Sequence, residues 1–310
     1  MSLAFVFPGQ GSQSVGMLAE LAAAHPLVRD TFAEASSALG YDLWQLTQNG
    51  PADELNQTHI TQPAMLTAGV AAWRVWQEKN GKAPEVMAGH SLGEYTALVC
   101  AGALTFADGV ALVAERGRYM QEAVPAGTGA MAAILGLEDA QVVEACASAA
   151  QGQVVSAVNF NSPGQVVIAG HAAAVERAME AAKAMGAKRA LPLPVSVPSH
   201  CALMQPAADR LAQRLAGITL QMPQIPVINN VDVTAATTPD AMRQALARQL
   251  HSPVRWVETV QKMAADGVDA LVECGPGKVL VGLNKRIVKD MKTFAIVDTA
   301  SLDEALASLS

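Results

Sequence analysis

The pentapeptide Gly89-His90-Ser91-Leu92-Gly93 puts a serine where nucleophilic chemistry could take place. A short apolar run, Val86-Met87-Ala88, precedes it, and an apolar run over 95–102 of helical length follows. A G-x-S-x-G sequence between strand and helix suits a strained turn that lifts the serine hydroxyl clear of a sheet. Glycines on both sides supply the backbone freedom and close approach that such a turn needs. The alternative is an ordinary strand-to-helix turn, because the pentapeptide also arises by chance.

A serine at its free pKa is a weak nucleophile and requires a base within hydrogen-bond reach. Six histidines are available. His25 and His59 lie in polar, loop-like stretches, His171 heads a helix, and His251 lies past a helix end. His90 adjoins Ser91, but consecutive side chains on a tight turn point apart. His200, in Pro198-Ser199-His200, is the remaining candidate base, with a buried structural histidine as the alternative.

A helix expected over 108–122 carries a third feature. On a wheel advancing about 100° per residue, Val110, Leu112, Val113, Gly117, Tyr119 and Met120 share one half, and Glu115 and Arg118 fall on the other. Arg116 lies in the middle of the apolar half. A buried arginine is seldom left without a partner, so Arg116 is either half of an ion pair or a receptor for a ligand's carboxylate.

The elements that must position these residues alternate between strand and helix. A strand over 3–7 runs into Pro8-Gly9-Gln10-Gly11-Ser12-Gln13, and helices are expected over 15–25, 30–39 and 62–78. This alternation predicts a mostly parallel sheet covered on both faces. From 129 onward the order changes to strand 129–135, helix 139–150, strands 154–161 and 165–169, helix 172–185 and strand 187–195. That β-α-β-β-α-β order is the ferredoxin-like unit. The alternation then resumes with strand 227–231, helices 240–250 and 253–266, strand 270–273 and helix 279–292. The expectation is an α/β fold with a discontinuous catalytic domain, 1–127 and 197–310, and a ferredoxin-like insert, 128–196. His200 falls where the chain returns from the insert, and clefts form between such units.

Composition narrows the class. In 310 residues, 51% are hydrophobic and 16% charged, which describes a folded globular chain with a sizeable core. A formal net charge of -7 disfavours nucleic-acid binding, which needs a basic surface. The four cysteines are far apart, which fits free thiols in a reducing cytoplasm better than disulfides or a zinc site. The first seven residues lack the basic flank of a signal peptide, and four prolines within the uncharged stretch 190–208 argue against a membrane helix. Two tempting nucleotide motifs fail. Ser14 stands where a dinucleotide fingerprint needs glycine, and Val279 follows Gly277-Lys278 where a P-loop needs Ser or Thr. No histidine pair has ligand spacing, so no metal is expected.

Phe7-Pro8-Gly9-Gln10-Gly11-Ser12-Gln13, Gly89-His90-Ser91-Leu92-Gly93-Glu94-Tyr95, Pro198-Ser199-His200 and Gly275-Pro276-Gly277 occur in this order. Together they resemble the malonyl-CoA:acyl carrier protein transacylases of bacterial type II fatty acid synthesis, from the first strand to about residue 290. The resemblance implies an α/β-hydrolase-like core with a ferredoxin-like insert. It also implies a ping-pong reaction in which Ser91 takes malonyl from malonyl-CoA and the phosphopantetheine thiol of acyl carrier protein removes it. His200 would serve as base toward Ser91, as acid to the departing thiolate, and as base toward the second thiol.

The family uses a dyad, and the group that orients its histidine, a backbone carbonyl, maps onto Gln249. The helix ending near Leu250 is closed off by Pro253, so its last carbonyls lack intrahelical partners. The negative end of its dipole favours a transient imidazolium. Backbone N–H groups of Leu92, directly after the nucleophile, and of Gln10 are implied as the oxyanion hole. Arg116 matches the family's malonyl-binding arginine. Gln62 and Asn161 stay open between polar contacts in the cleft and structural roles.

No bound cofactor is expected, coenzyme A and phosphopantetheine being parts of substrates. Acyl carrier proteins are acidic, so an acidic chain needs a local basic surface to dock one. Lys278, Lys285, Arg286 and Lys289, with Lys292 beyond, form the densest candidate, although basic residues late in a helix also complement its dipole. Two other classes remain. A serine hydrolase is disfavoured by the missing third acid and by Arg116, and a non-catalytic carrier-docking module would need neither Ser91 nor His200. Within the transferase class, the transacylase of malonate decarboxylation and a free-standing polyketide acyltransferase are close variants.

Overall fold

The computed structural model describes residues 1–195 and 197–309. Its strands are β1 (Leu3–Phe7), β2 (Val86–Gly89), β3 (Gly129–Leu135), β4 (Val155–Ser162), β5 (Gln165–His171), β6 (Arg189–Pro192), β7 (Val227–Ile228), β8 (Ala270–Cys274) and β9 (Lys292–Ile296). They form two sheets. A five-stranded sheet has the order β7-β2-β1-β8-β9, and a four-stranded sheet has the order β4-β5-β3-β6. Every pairing in the first is parallel and every pairing in the second antiparallel.

The parallel sheet is buried on both faces, which is why β1 reads Leu-Ala-Phe-Val-Phe without a polar residue and is wholly inaccessible. Phe5 packs edge-on against Trp73 and Trp76, with ring centroids 5.1 and 5.3 Å away. Both tryptophans belong to the long helix Thr58–Glu78, which is apolar on nearly all sides because it runs through the core. The second sheet, covered by helices Asp139–Ala149 and Ala172–Ala184, has a hydrophobic cluster of its own built around Ile134, Val166, Ile168 and Val175. The β-α-β-β-α-β order read from the sequence is the order found. The expected boundary at residue 196 lies outside the described residues, and β6 closes at Pro192, short of 195.

Several expected elements have different limits. The helix expected over 15–25 is only Ala19–Ala24, because Gly16 and Leu18 hold positive φ angles of 84° and 60°. The helix expected over 279–292 stops at Ile287, and Val288 turns extended. Lys289 therefore sits in a turn, and Lys292 opens the edge strand β9. A lysine at the start of a half-exposed edge strand fits the usual protection of such edges. Helix Gln205–Ala216 was not anticipated, although Pro206 in its first turn is a start signal. Helix Thr299–Leu309 was also missed.

Candidate active site

Three loops leave the carboxyl ends of neighbouring parallel strands and meet in one place, where ligands bind in open α/β sheets. The loop after β1 brings Gln10, the turn after β2 brings Ser91, and the turn after β7 brings Asn230. The residues after β6 bring His200 from the opposite side. Between them lies a cleft lined by Gln10, Thr58, Gln62, His90, Ser91, Leu92, Arg116, Asn159 and His200, with an apolar wall of Met120, Met131, Leu193, Val195 and Val197.

Ser91 stands on a tight elbow. Its φ of 51° is left-handed, which is strained for a residue with a side chain. The glycines flanking it are required by contact. A Cβ on Gly89 would lie 1.8 Å from the carbonyl carbon of Gly93, and one on Gly93 would lie 2.0 Å from the Phe7 carbonyl oxygen. Leu92 caps helix Gly93–Cys100, so its backbone sits at the positive end of that helix, beside the serine. Asn230 holds the elbow from below. Its Oδ1 accepts from Ser91 N at 2.7 Å, and its Nδ2 donates to the Gly89 carbonyl at 2.6 Å.

The serine hydroxyl meets the imidazole predicted for it: Ser91 Oγ and His200 Nε2 are 2.8 Å apart. His200 Nδ1 lies 2.8 Å from the main-chain oxygen of Gln249, the last residue of helix Pro239–Gln249. The next carbonyl, Leu250, accepts from His200 N at 2.9 Å, so the helix end grips both the ring and the backbone of the histidine. With Nδ1 donating to a carbonyl, Nε2 is left as the acceptor facing the hydroxyl. Burial, and then the positive charge of Arg116, push the His200 pKa down to about 3, so the ring is neutral and able to take a proton.

Arg116 is fully buried on the helix Phe106–Ala123, as its place on the wheel requires. Its acceptors are neutral: Nη1 donates to Gln62 Oε1 at 2.8 Å, and Nη2 donates to Gln249 Oε1 at 2.9 Å and to Ser91 Oγ at 3.3 Å. The Tyr95 ring lies 5.2 Å from the guanidinium carbon. Among the described residues no carboxylate pairs with it, so Arg116 is not half of an ion pair. A buried cation beside a cleft, with only neutral acceptors, is set up to receive an anion.

His90 is not at the reacting centre, although its side chain borders the cleft. Its Nε2 lies 2.8 Å from Asn161 Oδ1, on β4, and its ring leans on Trp256 at 5.7 Å. Burial lowers its pKa, so a neutral ring donates to Asn161. Asn161 thus supports His90, while Asn159, two residues earlier, lines the cleft. Gln62 lines it too and fixes Arg116.

Sequence reasoning missed Asn230, Glu94 and the side chain of Gln249. One signal was available for Asn230: two asparagines, poor strand residues, interrupt the run expected as strand 227–231. The strand indeed ends at Ile228. Among the described residues no group of three His, Cys, Asp or Glu side chains could hold a metal ion.

The acyl transferase domain family matches residues 4–307. The malonyl CoA-acyl carrier protein transacylase of Escherichia coli (strain K12) is 67% identical over 303 residues, 98% of each chain. That of Haemophilus influenzae is 64% identical over 301 residues, 97% of this chain and 96% of the relative. A crystal structure of an acyl carrier protein S-malonyltransferase from Vibrio cholerae superposes with a TM-score of 0.96 at 64% identity, covering 98% of this chain and 99% of that one. A complex of a type II PKS acyl-carrier protein with its malonyl-transacylase gives a TM-score of 0.98 at 63% identity, over 99% of this chain and all of the transacylase.

Proposed function

The chain belongs to the acyl transferase family, and from that premise we propose that it moves malonyl from malonyl-CoA to the phosphopantetheine thiol of acyl carrier protein, for fatty acid biosynthesis. One observation carries the reading. A buried guanidinium with no carboxylate partner lies 3.3 Å from the hydroxyl of a serine that a neutral imidazole faces at 2.8 Å. An acyl group ending in a carboxylate can therefore place its charge on Arg116 and its thioester on Ser91. The other end of the molecule lies toward the cleft mouth.

The reaction runs in two halves. Ser91 Oγ attacks the thioester carbonyl carbon while His200 Nε2 takes the hydroxyl proton, and the Leu92 and Gln10 N–H groups stabilise the oxyanion. The C–S bond then breaks, His200 returns its proton to the coenzyme A thiolate, and malonyl-Ser91 remains. In the second half His200 takes the proton of the carrier thiol, the thiolate attacks the malonyl ester, and Ser91 leaves with that proton. The Gln249 carbonyl orients His200 throughout and favours the transient imidazolium.

We read the parallel sheet and its helices as an α/β-hydrolase-like catalytic domain, 1–127 and 197–310, and the antiparallel sheet as a ferredoxin-like insert, 128–196. The separate hydrophobic cluster of the second sheet supports this division. The carrier docks on Lys278, Lys285, Arg286 and Lys289, all exposed. That helix starts beside the loop carrying Gln10, since a Cβ on Gly277 would lie 3.5 Å from Ser12 Cβ. The protein works in the cytoplasm, a reading supported by four free cysteines and by the lack, among the described residues, of a helix long and apolar enough to cross a membrane.

Incubation with malonyl-CoA, followed by intact mass, tests the whole. The protein should gain one malonyl group, hold it, and lose it when carrier is added, whereas the Ser91→Ala variant should gain nothing. Malonate released to water at the same rate without carrier would make the protein a hydrolase.

A further inference from the structure

Glu94 is an unexplained acid. It lies in the first turn of the helix behind the nucleophile, is 2% exposed, and touches neither Ser91 Oγ nor His200. A carboxylate is costly to bury, and every hydrogen-bond partner it has belongs to the scaffold of the site. Glu94 Oε2 accepts from Asn230 N at 2.9 Å and from Gln249 Nε2 at 2.7 Å. Gln249 Nε2 also donates to the Ser91 carbonyl at 3.1 Å. The other end of the same amide, Oε1, accepts from Arg116 Nη2 at 2.9 Å.

A glutamine amide has two ends of nearly equal shape and opposite polarity, and its surroundings decide which way it faces. Arg116 has only donors to offer, so Gln249 must present its oxygen there. Were the amide reversed, two N–H groups would oppose one another among buried residues and the guanidinium would be left an acceptor short. The carboxylate of Glu94 offers acceptors to the opposite end and so rejects the reversed amide. We infer that Glu94 is a positioning residue for substrate recognition: it locks the Gln249 amide in the one orientation that holds the Arg116 guanidinium ready for the acyl carboxylate.

Gln249 thereby serves both functional groups, its main-chain oxygen aligning His200 and its side chain aligning Arg116. Only the second task depends on Glu94. The consequence is selective. Glu94 also holds Asn230, which pins the Ser91 elbow, so loss of the Glu94 acceptor should show as a lowered preference for the carboxylated acyl group, beyond any effect on steps shared by both substrates.

This inference rests on malonyl transfer being the reaction, and the test separates the two. Acylation of Ser91 by malonyl-CoA and by acetyl-CoA is followed in wild type, Glu94→Met, Gln249→Met and the double variant, with thermal melting as a check on folding. Gln249→Met keeps the main-chain carbonyl and removes the amide. In wild type the ratio of kcat/KM for the two substrates should favour malonyl; if it does not, the functional reading itself fails. Given that preference, Glu94→Met, which removes the acceptor shared by Asn230 N and Gln249 Nε2, should lower the ratio at least about tenfold, through KM for malonyl-CoA. Gln249→Met should lower it as far, and the double variant should be no worse than Gln249→Met, as expected of residues acting in series. An unchanged ratio in Gln249→Met, or losses that multiply in the double variant, would overturn the inference. So would a folded Glu94→Met protein with wild-type selectivity. Should Glu94→Met not fold, Glu94→Gln, whose amide oxygen can accept from both donors, should keep the wild-type ratio, and a lowered ratio there would overturn the inference.

Discussion

Ser91 and His200 are 109 residues apart in sequence, face each other at 2.8 Å, and both hold left-handed backbone angles, φ 51° and 67°. Left-handed conformations are uncommon for residues with side chains and cluster where a fold over-determines them. Here each is pinned by its own scaffold, Ser91 N by Asn230 and His200 N by the Leu250 carbonyl. The hydroxyl and the imidazole are thus set by backbone geometry as well as by rotamer.

Replacing the imidazole should slow both half-reactions. For His200→Ala, loss of the proton acceptor at Nε2 should cut formation of malonyl-Ser91 and its transfer to carrier by at least about a hundredfold each. Rapid-quench measurement of the two steps checks this. A near-normal rate in either would assign the proton to another group, and His90, held to Asn161, is badly placed to take it.

The acid side of the rate profile should lack a histidine limb. With the pKa of His200 depressed to about 3 from an ordinary 6.5, the free enzyme keeps its base unprotonated across that whole interval. Since kcat/KM reports the free enzyme, acylation by acetyl-CoA, which has no carboxylate for Arg116 and so does not call on Glu94, should not fall tenfold per pH unit below pH 6.5. A limb with its midpoint near 6.5 would show that burial and Arg116 do not hold the ring neutral.

Arg116→Ala should separate two substrates that differ only in a carboxylate. Malonyl loses its charged partner in a water-poor site, which costs roughly 2–5 kcal/mol. Acetyl has no charge to strand, and loss of the guanidinium also relieves His200 of the neighbour that depresses its basicity. Acylation by malonyl-CoA should therefore drop at least about thirtyfold more than acylation by acetyl-CoA, as the lower end of that range gives. Parallel losses would leave Arg116 with a packing role alone.

Reversing Lys285 and Lys289 to glutamate should weaken delivery to the carrier and spare acylation by malonyl-CoA. Both are exposed and in no ion pair among the described residues, so the change acts on approach of an acidic partner. The defect should lie in association rate and shrink as salt is added. Wild-type transfer at low salt would move the docking surface elsewhere.

Local signals carried much of the fold and the site. Ser91 was legible from its glycines, His200 by elimination among six histidines, and the burial of Arg116 from one helical wheel. Its freedom from an ion pair was not, because the wheel says which face is buried and nothing of what lies opposite. Asn230 and the Glu94–Gln249 contact stayed hidden for a related reason: they join residues 136 to 158 positions apart, across elements whose spatial order no local pattern encodes. The strand β9 escaped because Lys285, Arg286 and Lys289 extend a helical pattern past Ile287, where the helix ends.

The antiparallel sheet is sewn to the rest of the molecule beside the site. Val254 donates to the Val158 carbonyl at 2.8 Å, and Phe160 donates to the Val254 carbonyl at 3.0 Å. Val254 lies five residues beyond Gln249, on the segment that leaves the histidine-gripping helix end. A jaw that swung on this seam would drag the base away from the serine with every opening. The seam therefore couples the antiparallel sheet to the imidazole: the strand that carries Asn159 and Asn161 and the helix end that grips His200 share one hydrogen-bonded segment, so a displacement of either is felt by the other.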